Sequence, residues 1–202
     1  MTEVAAIILA AGLSRRMGEQ NKLLLPVADI PMIRHMVLTY QNIATLPVVV
    51  VTGYESTAVG IAIEGTGAEI VFNASFAEGQ QTSLVCGLSA IPDASLIFVG
   101  LGDQPLLNGR DLQHLLAAHA SADPARISIP IFDQVRGNPI LIPKVLQRHL
   151  VEEQNVPGCR AFTRNYPEHV QFHELTNPGF YADVDTPESY SAFNCKFLEK
   201  TR

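Results

Sequence analysis

The sequence predicts a three-layer α/β/α fold built on a mostly parallel sheet. Three observations predict it. Short apolar runs recur at Val4–Leu9, Pro47–Thr52, Glu69–Phe72 and Ser95–Gly100, as expected of strands covered on both faces. Helical patterns fill the intervals between them, the alternation that builds α/β layers. After residue 125 the rhythm changes, which predicts a late antiparallel excursion.

Each element has its own signal. Val4–Leu9 is apolar and bounded by small residues. Met32–Ile43 places Ile33, Met36, Val37 and Tyr40 on one helical stripe. Pro47–Thr52 is continuous and β-branched; Glu69–Phe72 is weaker. Gln80–Ala90 and Gly109–Ala118 read as helices around the Ser95–Gly100 strand. Ile127–Phe132 is a strand, Asp133–Pro139 a turn, and Ile140–Ile142 a run placed to pair back. Pro143–Leu150 and Gly158–Tyr166 are short helices, Val170–Phe172 and Tyr181–Val184 late strands, and Pro187–Leu198 a closing helix.

The 202 residues fit one domain, 47% hydrophobic and 17% charged. No repeat or low-complexity linker divides them. No apolar run approaches the ~20 residues that span a bilayer, and Met1-Thr2-Glu3 lacks a signal-peptide flank, so the expected location is the cytoplasm, with no membrane partner. A net charge of −6 argues against a nucleic-acid partner. Any anionic ligand must then be gripped by a local cluster of cations. Cys86, Cys159 and Cys195 form no CxxC pair and are expected to be free, buried thiols.

Such a cluster follows the first strand. Leu9-Ala10-Ala11-Gly12 leads into Ser14, Arg15, Arg16, Gly18 and Lys22. A strand running into a loop is a usual place for phosphate, because free backbone N–H groups point at the anion. Small residues let the backbone approach, arginine forks onto phosphate oxygens, and lysine adds a mobile charge. Two arginines alone would read as a solvated loop; with the strand, the small-residue turn and Lys22 they favour an anion site. Neither GxGxxG nor GxxxxGK[ST] is present, and the absence of the first disfavours an NAD-type oxidoreductase.

Other motifs carry paired readings. Asp103 ends a buried strand, where open α/β sheets bind ligands; it could hold a divalent cation or cap the turn before Pro105. Asp183 and Asp185, two apart, would share a face of a strand; Asp185 could also cap the helix at Pro187, or leave that to Thr186. Gly79 and the polar Gln80–Ser83 turn could make a second anion- or base-facing nest or merely start a helix. "QVRGNP" (134–139) could be only a hairpin turn, since Gly137-Asn138-Pro139 is strong turn chemistry. His35, His114 and His119 read as surface or packing residues, the last two at i, i+5 rather than zinc spacing.

"LAAGLSRRMG…NKLLLP" resembles the signature loop of MobA-like nucleotidyltransferases, and within them the molybdenum cofactor cytidylyltransferases. The likeness continues through "GQQTSLVCGL" (79–88), "GDQPLL" (102–107), "RGNP" (136–139) and "DVDTPESY" (183–190). Five motifs in register are specific where one would not be.

The resemblance implies a Rossmann-like nucleotidyltransferase sheet, with residues to about 107 binding nucleotide and those from about 108 binding acceptor. It implies a cytidylyl group passed from CTP to the phosphate of the molybdenum-bearing pterin, with pyrophosphate released and Mg²⁺ held by Asp103 and Asp185. Arg16 and Lys22 would stabilise phosphate charge, with Arg15 assisting. Leu9, Ala10, Ala11, Gly12, Arg15, Lys22, Gly79, Ser83 and Asp103 would bind the nucleotide, and Arg136, Gly137 and Asn138 the acceptor. Asn138 stands where many relatives have histidine. Ala11 resembles the cytidylyl branch, its methyl narrowing the pocket toward a pyrimidine. A hand-over of product to a molybdoenzyme or its chaperone is also implied. Rival readings are guanylyl transfer from GTP, a sugar- or polyol-phosphate acceptor, and a non-catalytic nucleotide-binding module; Asp103 and Asp185 together speak against the last.

Overall fold

A computed structural model describes residues 2–18, 20–152 and 158–200. The chain runs β1 (Val4–Ala10), a short hairpin of β2 (Pro26–Val27) and β3 (Ile30–Pro31), α1 (Met32–Gln41), β4 (Val48–Thr52), α2 (Ser56–Ala62) and β5 (Glu69–Phe72). It continues through α3 (Gln80–Ala90), β6 (Leu96–Leu101), α4 (Gly109–Ala120), β7 (Ile127–Phe132), β8 (Val135–Arg136) and β9 (Ile140–Pro143). It ends with α5 (Lys144–Glu152), α6 (Gly158–Asn165), β10 (Val170–Glu174) and α7 (Pro187–Lys200).

The main sheet has the order β10-β7-β9-β6-β1-β4-β5, with β8 paired to β7. Its β1 is central and parallel to both neighbours, Ile7 lying opposite Val49 of β4 and Val99 of β6. Strand order therefore grows one way to β4 and β5, then reverses to β6. That reversal opens a crevice at the carboxyl ends of β1 and β6, where α/β sheets bind ligands. Antiparallel β9 lies between β6 and β7.

Side-chain alternation along β1 feeds two cores. Ala6, Ile8 and Ala10 pack with α1, α4 and Phe180 on one face. Ala5 and Ile7 pack with α3, α5 and Phe162 on the other. The α1 stripe Ile33, Met36, Val37 and Tyr40 is fully buried. Tyr40 rests on Gly100 of β6, where a Cβ would stand 1.7 Å from its hydroxyl. No helix among the described residues is long and apolar enough to cross a membrane.

Several expectations are corrected. Residues 181–184 form no strand; they are a strap, tied to the sheet where the Val184 N–H donates to the Asp103 carbonyl at 2.8 Å. Ile140–Pro143 pairs chiefly with β6 and touches β7 at Ser128–Leu141, so the hairpin partner of β7 is the two-residue β8. Helix α2 had no strong apolar stripe to announce it; only Val59 in it is buried. Cys86 is half-buried, packed on the margin of one core, and Cys195 is exposed on α7. The side chain of Cys159 lies outside the described residues.

His119 is buried, a packing residue as expected, and part of a cluster that joins three elements. Ser128 Oγ of β7 lies 2.8 Å from His119 Nδ1 and 2.8 Å from His173 Nε2 of β10, and accepts from Gln171 Nε2 at 3.0 Å. One hydroxyl has one proton to give and two lone pairs, so Ser128 is satisfied with neutral imidazoles, while His119 Nε2 is buried with no hydrogen-bond partner among the described residues. Both histidines titrate below the ordinary 6.5. Burial is the main cause for each; the charge of His173 adds to it at His119, and Asp123 partly offsets it. Below pH 6.5 the unfolded chain binds these protons more readily than the folded one, so stability falls as pH falls. The thermal midpoint is expected to hold above about pH 6.5, the ordinary histidine value, and to drop as pH falls below it. The drop should be smaller in His119→Gln. A midpoint unchanged over that range would remove the cluster from the acid response.

Candidate active site

The loop after β1 closes over the crevice in a fixed shape. Ala10 and Ala11 are buried. A Cβ on Gly12 would meet nothing within 4 Å, so a side chain there would take ligand space. Ser14 adopts a left-handed conformation, φ 47°, and its Oγ accepts the Lys22 N–H at 3.4 Å. Asn21 caps the next turn, its Oδ1 accepting the Leu23 N–H at 3.1 Å. With Leu23 buried and Asn21 fixed, Lys22 is held with its ammonium in the crevice.

There it joins two carboxylates from distant parts of the chain. Lys22 Nζ donates to Asp103, just after β6, and to Asp185 Oδ1 at 2.6 Å. Arg16 Nη2 takes the other Asp185 oxygen at 2.8 Å. Burial disfavours the ammonium, but the charge of Asp103 and the bonds to both carboxylates outweigh it and raise Lys22 above its ordinary value. Burial likewise opposes ionised Asp185, yet Lys22 and then Arg16 hold it below the usual carboxylate range.

Asp185 is presented by the strap. Phe180 O accepts from the Asn138 N–H at 2.8 Å and from Gln104 Nε2 at 3.2 Å. The Gln104 amide also donates to Asp183 Oδ1 at 3.2 Å. Asp183 is exposed as a residue, but lost hydration, then the Asp103 charge, push its carboxyl upward. The Thr186 hydroxyl accepts the Ser189 N–H at 3.2 Å, while Ser189 Oγ accepts from Asp185 N and Thr186 N, each at 3.0 Å. Thr186 and Ser189 thus cap α7 together, and the Asp185 carboxylate is left to the site.

The donors suit a hard cation. Asp103 Oδ1 is buried with no hydrogen-bond partner, and Asp185 lies across the same ammonium. Among the described residues no cluster of three or more His, Cys, Asp or Glu surrounds a point. Mg²⁺ commonly takes one or two carboxylates and fills its octahedron with water and substrate phosphates, which this pair matches.

A pocket of about 340 Å³ opens beside these charges. It is lined by the end of β1 from Leu9 to Gly12, by Arg15, Lys22 and Asp103, and by Phe76, Gly79, Gln80 and Ser83. Arg15 makes no ion pair among the described residues. Gly79, at φ 124°, turns the chain into α3, whose first turn faces the pocket. Buried Asn73 clamps this side, donating to Thr82 Oγ1 at 2.8 Å and to Ser83 Oγ at 2.9 Å.

Arg16, Lys22, Asp103 and Asp185 are thus brought together, with the Leu9–Gly12 and Gly79–Ser83 segments beside them. Arg136, Gly137 and Asn138 do not line the pocket. Arg136 Nη2 donates to Thr163 Oγ1 at 2.6 Å and lies over the Phe172 ring, 5.4 Å from its centroid. Gly137 packs so closely on the strap that a Cβ would stand 2.7 Å from Tyr181 Cε1 and 2.8 Å from Phe180 O. Gly137 and Asn138 thus support the segment that carries Asp185. Sequence reasoning missed Asn73, Phe76 and Gln104; the Asn-to-Thr/Ser spacing in "NASFAEGQQTS" and the glutamine of "GDQP" were the available signals.

A family model described as the MobA-like NTP transferase domain matches residues 6–170. The chain belongs to that family. The matched span holds every residue lining the pocket and stops short of Asp185. Nicotine blue oxidoreductase of Paenarthrobacter nicotinovorans is 28% identical over 193 residues, covering 92% of this chain and 93% of that protein. The 2-C-methyl-D-erythritol 4-phosphate cytidylyltransferase of Pelotomaculum thermopropionicum is 30% identical over 142 residues, 67% of this chain and 60% of that one. A nucleotidyl transferase structure from Methanothermobacter shares the fold, with a TM-score of 0.83 at 22% identity over 98% of this chain and 99% of that one.

Proposed function

We propose that this member of the family transfers a cytidylyl group from CTP to the phosphate of the molybdenum-bearing pterin, releasing pyrophosphate. The observation that carries the transfer reading is the convergence of Asp103 and Asp185 on Lys22 beside a pocket at the β1–β6 crevice. In the step, an acceptor phosphate oxygen bonds to the α-phosphorus and the bond to the bridging β-oxygen breaks; its electrons leave with pyrophosphate. Lys22 and Arg16 stabilise negative charge on the α- and β-phosphates, and Arg15, without an ion pair among the described residues, holds the outer phosphates. Asp103 and Asp185 hold Mg²⁺, which when bound neutralises phosphate charge and orders the reacting oxygens. The chain itself supplies positioning and electrostatics.

Residues to about 107 form the nucleotide part and those from about 108 the acceptor part of one domain. Gly137 and Asn138 serve the acceptor side through the strap, and Arg136 from the neighbouring rim. The cytidylyl choice is supported by Ala11 and by the cytidylyltransferase name of one relative. The pterin acceptor and a hand-over of product to a molybdoenzyme or its chaperone rest on the motif resemblance.

One observation favours a second reading: the relative matched over nearly its full length carries an oxidoreductase name. The two separate in one assay. Purified protein is given Mg²⁺, each of the four ribonucleoside triphosphates and either the molybdenum-bearing pterin or a sugar phosphate. Pyrophosphate release with CTP and the pterin is expected. Nicotinamide oxidation on a heteroaromatic substrate, with no pyrophosphate under any condition, would replace the transfer reading.

A further inference from the structure

We infer that Phe76 is the end wall of the pocket and decides which base the site takes, admitting a single-ring pyrimidine and refusing a purine. This rests on the nucleotide reading above and adds a residue to it. Phe76 lines the pocket together with the Leu9–Gly12 segment and stands beside its Ala11. Behind it there is nowhere to go. A Cβ on Gly53 would stand 2.5 Å from Phe76 Cβ, 2.6 Å from Phe76 Cγ and 2.9 Å from Ala11 Cβ. The root of the phenyl ring is therefore seated on bare backbone at the end of β4, a strand whose five residues are all buried.

The sides are fixed as well. The Phe76 N–H donates to Asn73 O at 3.3 Å. Asn73 Oδ1 accepts the Ser75 N–H at 3.0 Å, and its amide reaches Thr82 and Ser83 on α3. Thr82 Oγ1 closes the loop by donating to Ser75 O at 2.9 Å. A flexible wall would yield to a larger base; this one is backed by the sheet and clamped at both ends. An aromatic face also offers a stacking surface to a planar base.

The same contacts revise the part played by Ala11. Its residue is 6% exposed, and its methyl shares the space over Gly53 with the ring. Ala11 acts mainly by seating Phe76 and only secondarily by narrowing the pocket. Gly53 is required for the same reason: any side chain there would drive the ring into the pocket.

The test is equilibrium binding of CTP, UTP, GTP and ATP, with Mg²⁺, to the full-length protein and to Phe76→Ala, Phe76→Leu and Phe76→Tyr. Thermal unfolding of each variant confirms its fold, and Phe76→Leu stands in if Phe76→Ala unfolds. The unaltered protein is expected to bind CTP more tightly than GTP. In Phe76→Ala that ratio should fall at least tenfold, by weaker CTP and stronger GTP binding together; Phe76→Leu should move the same way, and Phe76→Tyr should keep the original ratio. An unchanged ratio in both Phe76→Ala and Phe76→Leu, or a native preference for GTP, overturns the inference and leaves nucleotidyl transfer standing. A protein that binds none of the four overturns both.

Discussion

Asp103→Asn and Asp185→Asn each lower nucleotidyl transfer by more than about 10²-fold, the scale expected when a charge-stabilising group is lost from a transition state. Each replacement keeps the shape and exchanges a carboxylate for an amide, a poor ligand for a hard cation. The two should differ in detail. Asp103 has a buried oxygen without a partner, so Asp103→Asn removes the ligand least able to be replaced by water. Asp185 is more open, its side chain 28% exposed against 16% for Asp103, and raised Mg²⁺ should recover part of the loss in Asp185→Asn. Mn²⁺ binding measured by electron paramagnetic resonance gives a second readout, with weaker binding expected in both variants. Native turnover in either one, across Mg²⁺ concentrations, would remove that residue from the site.

Lys22→Ala is expected to lower kcat by about 10²–10³-fold, whereas Arg15→Ala chiefly weakens nucleotide binding. Lys22 sits among the groups that meet the reacting phosphates, so its contribution grows as charge develops. Arg15 lines the pocket with no ion pair among the described residues, and a contact made equally in ground and transition states affects KM rather than kcat. Lys22→Ala also leaves two carboxylates facing each other. Removing one partner of a fully buried pair costs about 3–5 kcal/mol; partial exposure of Asp185 brings the expectation here to about 1–3 kcal/mol. Added Mn²⁺ should restore the lost thermal stability. The opposite kinetic partition would exchange the two roles, and silence in both would end the loop assignment.

Much of the fold was legible because its strands are buried on both faces. Pro47–Thr52 and Ser95–Gly100 read as continuous apolar runs, and the Met32–Ile43 stripe is buried as its spacing predicts. The errors fall where local pattern and tertiary partner part company. "YADV" has the composition of a strand, yet it lies across the end of β6, held by the Val184–Asp103 bond and by Gln104. The Ile140 run looks like the return arm of a hairpin, but β6 offers it the longer register. At the site, charged residues could be recognised from their motifs. The residues that aim them carry weaker signals: Asn73 bonds across a turn to Thr82 and Ser83, Gln104 bonds to a segment more than seventy positions away, and the seat of Phe76 depends on a glycine more than twenty positions away.

The central assignment makes Asp103, Asp185 and Lys22 the centre of nucleotidyl transfer. The most direct measurement follows the label of two CTP preparations, one carrying ³²P at the α-phosphate and one at the γ-phosphate, with Mg²⁺ and the molybdenum-bearing pterin. The α label is expected in the pterin product and the γ label in pyrophosphate, with neither transfer in Asp103→Asn. Recovery of the γ label in the acceptor, or full α transfer by Asp103→Asn, would contradict it.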